Sequence, residues 1–276
     1  MIQNRSSKHM HSFGRTASDG FSLVDVMVGM VIALLGMIVI FQVFTVSEGI
    51  KRTTTGGSDA LQNGASAVSA LERGLKMAGY GIFSSTNLPP LPADPAGTAP
   101  VTITPGVGNA SDSLVLRYRQ NWDFASFPPD PVVFANAIPP ALTVETLSVN
   151  NQAQLVSDVN GVISDSIALM KAEYGADANG NGVIDTNEWS RVAPANPMSV
   201  LAVRIAVVTR SVQPEKPSVA GGACDTTTAF PIWIDSAAVP LDLSGKVGLD
   251  AADDWKCYRY KTFENTVPLR NVVWRP

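Results

Sequence analysis

The chain divides by pattern before any motif is read. Residues 1–19 are polar, and Gly20 is followed by FSLVDVMVGMVIALLGMIVIFQVF. No polar side chain occurs from Val26 to Ile40, and from Phe21 to Val46 the only charge is Asp25. A run of this length predicts a helix able to cross a bilayer, for which about 20 residues suffice. Polarity then rises. Leu61, Ala65, Val68, Leu71, Leu75 and Ala78 recur at steps of three and four, which predicts the apolar face of an amphipathic helix packed on a globular head. The Gly56-Gly57 pair predicts local weakening of that helix, and Gly79 and Gly81 predict its end.

The second half reads as strands. Residues 84–112 are rich in Pro, Gly, Ser and Thr, including Leu88-Pro89-Pro90-Leu91-Pro92, which predicts a loop region. Ser113–Arg119 alternates as a half-buried strand does, and Ala141–Val149 reads similarly. Val200–Val208, VLAVRIAVV, is the strongest strand and suits a central sheet position. Thr226–Ile234 and Tyr258–Phe263 are weaker strands, and Ser164–Tyr174 reads as a short helix. Helix first and strands afterwards predict an α+β fold.

Composition sharpens this picture. Of 276 residues, 45% are hydrophobic and only 16% charged, against a usual charged share of about 25%. Such a deficit points to a segment that does not face water. The 20 Lys+Arg and 24 Asp+Glu give a net charge of −4, which argues against a nucleic-acid partner. The two histidines, His9 and His11, both lie in the polar N-terminal stretch. Without that stretch the chain has no histidine, which disfavours the usual serine, cysteine and metal hydrolases and most zinc or copper sites. No P-loop, G-x-S-x-G or H-E-x-x-H motif occurs, so the chain does not read as an enzyme. Arg5, Lys8 and Arg15 precede the apolar run, which predicts a cytoplasmic N-terminus and an exported remainder. A secretory signal has a shorter apolar core, about 7–15 residues, and a small-residue cleavage site. A simple anchor leaves the charge at Asp25 unexplained, because a charge is costly in lipid and is usually paired there.

Gly20-Phe21-Ser22-Leu23-Val24-Asp25 resembles the leader signal of type IV pilins and type II secretion pseudopilins. Two further segments resemble PilW-type minor pilins. Leu71-Glu72-Arg73-Gly74-Leu75-Lys76-Met77-Ala78-Gly79-Tyr80 is similar to a helix end of that family, with Gly74 where an acidic residue is usual. Pro268-Leu269-Arg270-Asn271 matches its C-terminal ending. The resemblance implies a pilin fold, in which the long hydrophobic helix continues into an amphipathic helix on a mainly antiparallel β-sheet head. It implies a leader at 1–20, a filament-core helix at 21–46, an amphipathic helix at 47–83 and a β-rich head at 84–276. Prepilin peptidase would cut between Gly20 and Phe21, and Phe21 would become N-methylated. Asp25 stands where the family usually has Glu, and would neutralise the N-terminal amine of a neighbouring subunit and set axial register. The resemblance further implies a single-pass inner-membrane protein with a periplasmic head, later part of an extracellular pilus. Its partners would be other minor pilins, the major pilin, a pilus-tip adhesin and the inner-membrane assembly platform. The implied function is to prime type IV pilus assembly at or near the tip. The alternative is a minor pseudopilin of a type II secretion system.

Two smaller features remain. Cys224 and Cys257 are the only cysteines, and an even count in an exported region favours a disulfide over two free thiols. Residues 177–188 meet the calcium-loop pattern D-x-[DN]-x-[DN]-G-x₅-E. Asp177, Asn179, Asn181, Val183 through its carbonyl, Asp185 and Glu188 occupy the ligand positions, and Gly182 the turn position. Hard oxygen donors at this spacing suit Ca²⁺, with a Kd of about 10⁻⁴–10⁻³ M as in extracellular modules. An Asn/Gly-rich turn without an ion uses the same residues. Pro194 and Pro197 leave little room for the exiting helix of a full EF-hand.

Overall fold

The computed structural model describes residues 20, 22–82, 99–119, 142–219, 221–233, 239–245 and 254–273. The chain forms two compact units, Met1–Glu48 and Gly49–Pro276. Helix α1, Leu23–Met77, begins in the first and ends in the second. In the first unit every described side chain is exposed, from Leu23 onward. The predicted melting at Gly56-Gly57 does not occur, since α1 is helical through both. Gly56 is buried, and a Cβ on it would stand 3.0 Å from that of Ser211, so tertiary packing outweighs the weak helix propensity. Met77 ends the helix. Gly79 follows with φ 83°, a left-handed conformation that glycine adopts without penalty, and its N–H bonds the Arg117 carbonyl at 2.9 Å.

The face that α1 buries differs from the predicted stripe in its first half. Leu71, Leu75 and Ala78 are buried as expected, but Leu61 is 50% exposed and Ala65 also faces outward. The buried positions there are Gly56, Ala60, Gly64 and Ala67. Small residues are needed because the sheet comes close: the Phe263 ring occupies the space a Cβ on Gly64 would need, and Thr209 Oγ1 donates to the Ala60 carbonyl at 2.9 Å.

Two antiparallel sheets carry the head. One has the order β1-β2-β3-β4-β5, built from Val101–Thr104, Ser113–Arg119, Leu142–Val149, Leu155–Ser157 and Gly161–Ser164. The other has the order β11-β8-β6-β7, from Tyr260–Pro268, Val200–Arg210, Ile167–Ala176 and Trp189–Ser190. A small ribbon pairs β9, Ile232–Trp233, with β10, Val239–Pro240. The expected strands at 113–119, 200–208 and 258–263 are present, the last two running longer, and that at 141–149 is found as β3, with Ala141 outside the described residues. Strand β1 falls inside the segment expected to be loop.

Two expectations are corrected. Ser164–Tyr174 is not a helix; its core is β6. All ten residues of β6 are buried. Ile167, Met170, Ala172 and Tyr174 join the main core with α1 and the first sheet, while Ala168 and Leu169 join a second core with Ala206, Val208, Trp233 and Trp255. A strand covered on both faces shows no polar/apolar alternation, and Ala, Leu, Met, Lys and Glu then imitate a helix. Within Thr226–Ile234, the described strand is only Ile232–Trp233. Upstream, Thr227 N donates to the Lys256 carbonyl at 3.1 Å, so that stretch is tied to the residue 254–257 turn rather than laddered.

Buried charges knit the loops to the sheet. Asp112, 1% exposed, pairs with Lys171 at 3.3 Å and Arg191 at 2.5 Å and accepts the Ala172 N–H. Burial holds the Lys171 amine below its ordinary pKa. The chain closes with a single-turn helix, α2, at Arg270–Val273. Asn271 Nδ2 there donates to the carbonyls of Lys76, Met77 and Ala78 at 3.0, 3.3 and 3.2 Å, capping the end of α1.

Candidate functional site

The apolar half of α1 is the first candidate. Leu23 to Val46 carries one charge, Asp25, in the first turn of the helix. Its large apolar side chains are 51–75% exposed, and this is the one described helix long and apolar enough to cross a membrane. Gly20 is non-helical and exposed, and no atom of the described residues lies within 4 Å of where its Cβ would be. Phe21 and residues 1–19 lie outside the described residues. Continuous apolar exposure of this kind marks a surface that another apolar phase covers.

The 177–188 loop folds as a compact turn. Asp177 Oδ1 accepts the N–H groups of Gly180 and Asn181 at 2.7 and 3.1 Å, and Oδ2 that of Gly182 at 2.8 Å. Gly182 has φ 82°, the left-handed turn that its position demanded. Asn181 Oδ1 accepts the Val183 N–H, and the amides of Asn179 and Asn181 approach Asp185 Oδ2 at 3.3 and 3.4 Å. Glu188, 8% exposed, closes the loop by accepting N–H groups from Ala178, Asn179 and Asp185. Among the described residues no three His, Cys, Asp or Glu side chains gather as a metal-holding group. The donors are of the right chemistry for Ca²⁺, while Asp177 and Glu188 are occupied with backbone amides and Asp185 with the side-chain amides of Asn179 and Asn181. Strand β7 follows the loop in place of an exiting α-helix, and Arg204 of β8 stacks 3.9 Å over its Trp189.

Cys224 and Cys257 form a disulfide, and no described cysteine is free. It holds the 221–230 segment to the turn that carries Trp255, whose ring lies 4.5 Å from that of Phe230 in the second core.

A further site escaped the sequence reading. A cleft of about 320 Å³ opens between the last turns of α1 and the first sheet. Ala70, Met77, Leu147 and Ile163 form apolar walls, and Arg73 and Glu145 contribute charges of opposite sign. Glu145, 5% exposed, accepts from Tyr118 Oη at 2.8 Å, Ser157 Oγ at 2.6 Å and Asn160 Nδ2 at 2.8 Å. The signal was present but faint: Glu145 is two residues from Leu147, so a carboxylate stands at a core-facing strand position.

None of the curated proteins matches the chain significantly. The solved structure of the type IV-like pilin TTHA1219 from Thermus thermophilus is similar over 78% of this chain and 96% of that one, at 14% identity and a TM-score of 0.43. At that level neither residues nor roles transfer. The family described as Type IV Pilus-assembly protein W matches residues 134–271, which is half of the chain and includes β3 through the Pro268-Leu269-Arg270-Asn271 ending. The chain therefore belongs to the PilW family of type IV pilus-assembly proteins.

Proposed function

We propose that this chain is a minor pilin that helps prime type IV pilus assembly and sits at or near the pilus tip. Its work is polymerisation rather than catalysis. The observation that carries the reading is the exposed apolar flank of α1 with its lone carboxylate, Asp25, in the first turn. Before assembly a bilayer covers that flank, with the head on the periplasmic side; afterwards, the apolar helices of neighbouring pilins do. Leader removal between Gly20 and Phe21 leaves a new amine, subsequently N-methylated. A neighbour's amine then meets Asp25 inside the bundle, where an unpaired charge is strongly disfavoured. Other minor pilins, the major pilin and a tip adhesin are the partners this reading requires, with the inner-membrane platform and prepilin peptidase acting earlier.

The test is Asp25→Ala in cells that assemble pili. The variant should remain in the membrane but fall at least several-fold in sheared filaments and in complexes with other minor pilins. Unchanged piliation and unchanged co-purification would refute the register role. Replacing Gly20 with Tyr should leave the leader attached, read as a larger mass of the membrane-bound chain; normal processing would contradict the cleavage position.

The loop at 177–188 is proposed as a weak calcium site. Asp177, Asn179, Asn181, Asp185 and Glu188 would hold the ion with the Val183 carbonyl. Binding requires the three carboxylates to draw together, and that rearrangement weakens affinity. Trp189 adjoins Glu188, so its fluorescence should change at millimolar Ca²⁺, and Asp177→Ala should abolish the change. A wild-type chain that shows neither fluorescence change nor heat at millimolar Ca²⁺ would sink the site.

A further inference from the structure

The cleft beside the end of α1 holds two charges that do not neutralise each other. Among the described residues neither Glu145 nor Arg73 takes part in an ion pair. Three neutral donors orient the Glu145 carboxylate, two on Oε1 and one on Oε2, which leaves Oε2 a free acceptor position. Neutral donors satisfy the hydrogen bonds of a carboxylate but leave its charge, and in a site this buried that charge attracts a cation more strongly than at the surface. Arg73, exposed at the rim, donates to no acceptor among the described residues. The walls between them are apolar and suit the alkyl stem of a long side chain.

We propose that this cleft is a docking site for a second pilus subunit, which inserts a lysine or arginine side chain against Glu145 and sets a neighbouring acidic residue against Arg73. Charge complementarity selects the occupant: a basic side chain alone would be repelled by Arg73, and an acidic one alone by Glu145. The proposal rests on the assembly reading above. It adds a head-to-head contact that the helix packing of α1 does not supply.

The experiment uses the full chain in pilus-forming cells, with Met77 on the cleft wall replaced by the photoreactive residue p-benzoylphenylalanine. After irradiation, the crosslinked peptide is mapped by mass spectrometry, and the chain is quantified in sheared filaments. The crosslink should fall within a few residues of a Lys or Arg that has an Asp or Glu beside it, in another pilus subunit. Glu145→Gln keeps the shape and removes the charge, and should lower the yield about tenfold or more, as loss of a desolvated charge pair does. Arg73→Glu, at an exposed position that does not threaten folding, should do the same, while Asp225→Asn, in the disulfide region, should not. A crosslink to a segment without a basic residue, or a yield indifferent to both cleft variants, overturns the proposal. So does filament incorporation without any crosslink, which leaves the assembly reading intact. A chain absent from filaments and from every crosslinked complex overturns both.

Discussion

Gly64 is a sharp test of how α1 meets the sheet. A Cβ on it would lie 1.9, 2.4 and 2.5 Å from Cε2, Cδ2 and Cζ of Phe263. Carbon atoms pack best at about 3.5–4.0 Å, so Gly64→Ala forces the ring back by about 1.5 Å. Phe263 is laddered to Val207 in the middle of the β8–β11 pair, which limits how far its strand can give. Overpacking of a fitted core costs about 1–3 kcal/mol, and a clash this deep belongs at the upper end. Removing a glycine from a helix interior returns about 1 kcal/mol. The net loss is then about 2 kcal/mol, or about 4–8 °C in Tm for a domain of this size. Gly57 lies on the same helix with nothing within 4 Å of its Cβ position. There the same substitution should stabilise by about 1 kcal/mol and raise Tm by about 2–4 °C. Thermal unfolding of the full chain in detergent, followed by circular dichroism, separates the two. Gly64→Ala/Phe263→Leu should recover part of the loss. A Gly64→Ala chain that melts as high as Gly57→Ala would refute the close-approach argument.

Two further outcomes are expected. Replacing both Cys224 and Cys257 by Ser removes a crosslink across 33 positions, worth about 3–4 kcal/mol on the chain-entropy model, and denaturant titration should show that loss with the second core opening first. The Tyr260 hydroxyl has no hydrogen-bond partner among the described residues, and burial pushes its pKa far above the ordinary 10.0. The folded state therefore keeps this proton where the unfolded chain loses it, so stability should fall as pH rises above about 10. Tyr260→Phe should be at least as stable at pH 7 and lose less between pH 10 and 11; melting curves with the opposite order would refute this.

Much of the fold was legible because it rests on local pattern. The apolar run, the end of α1 after Met77 and the strand at Val200 are each dictated by residues within a few positions of one another. What misled was context. The seam of α1 depends on Phe263, almost 200 residues away, and no periodicity in the helix announces that a ring will sit over Gly64. Strand β6 lost its alternation because both faces are covered, and its Lys171 sits at an inward position only because Asp112 and the Ala110 carbonyl meet it. The oxygen-bearing residues of the 177–188 loop were found by spacing, but spacing says nothing of whether carboxylates converge; here Asp177 and Glu188 accept backbone amides and Asp185 accepts side-chain amides. The Glu145 cleft needed α1 and the first sheet brought together before it existed at all.

The cap that Asn271 places on α1 has a consequence for how the protein is made. Synthesis delivers the helix end 195 residues before the side chain that bonds the Lys76 carbonyl. Until the last strand is translated, three backbone carbonyls and the Gly64 seam face water. A chain interrupted anywhere upstream cannot close that seam, and its helix end stays open to proteolysis. Only a copy that carries Asn271 closes the end of α1, so the fold itself registers whether its last strand has been made.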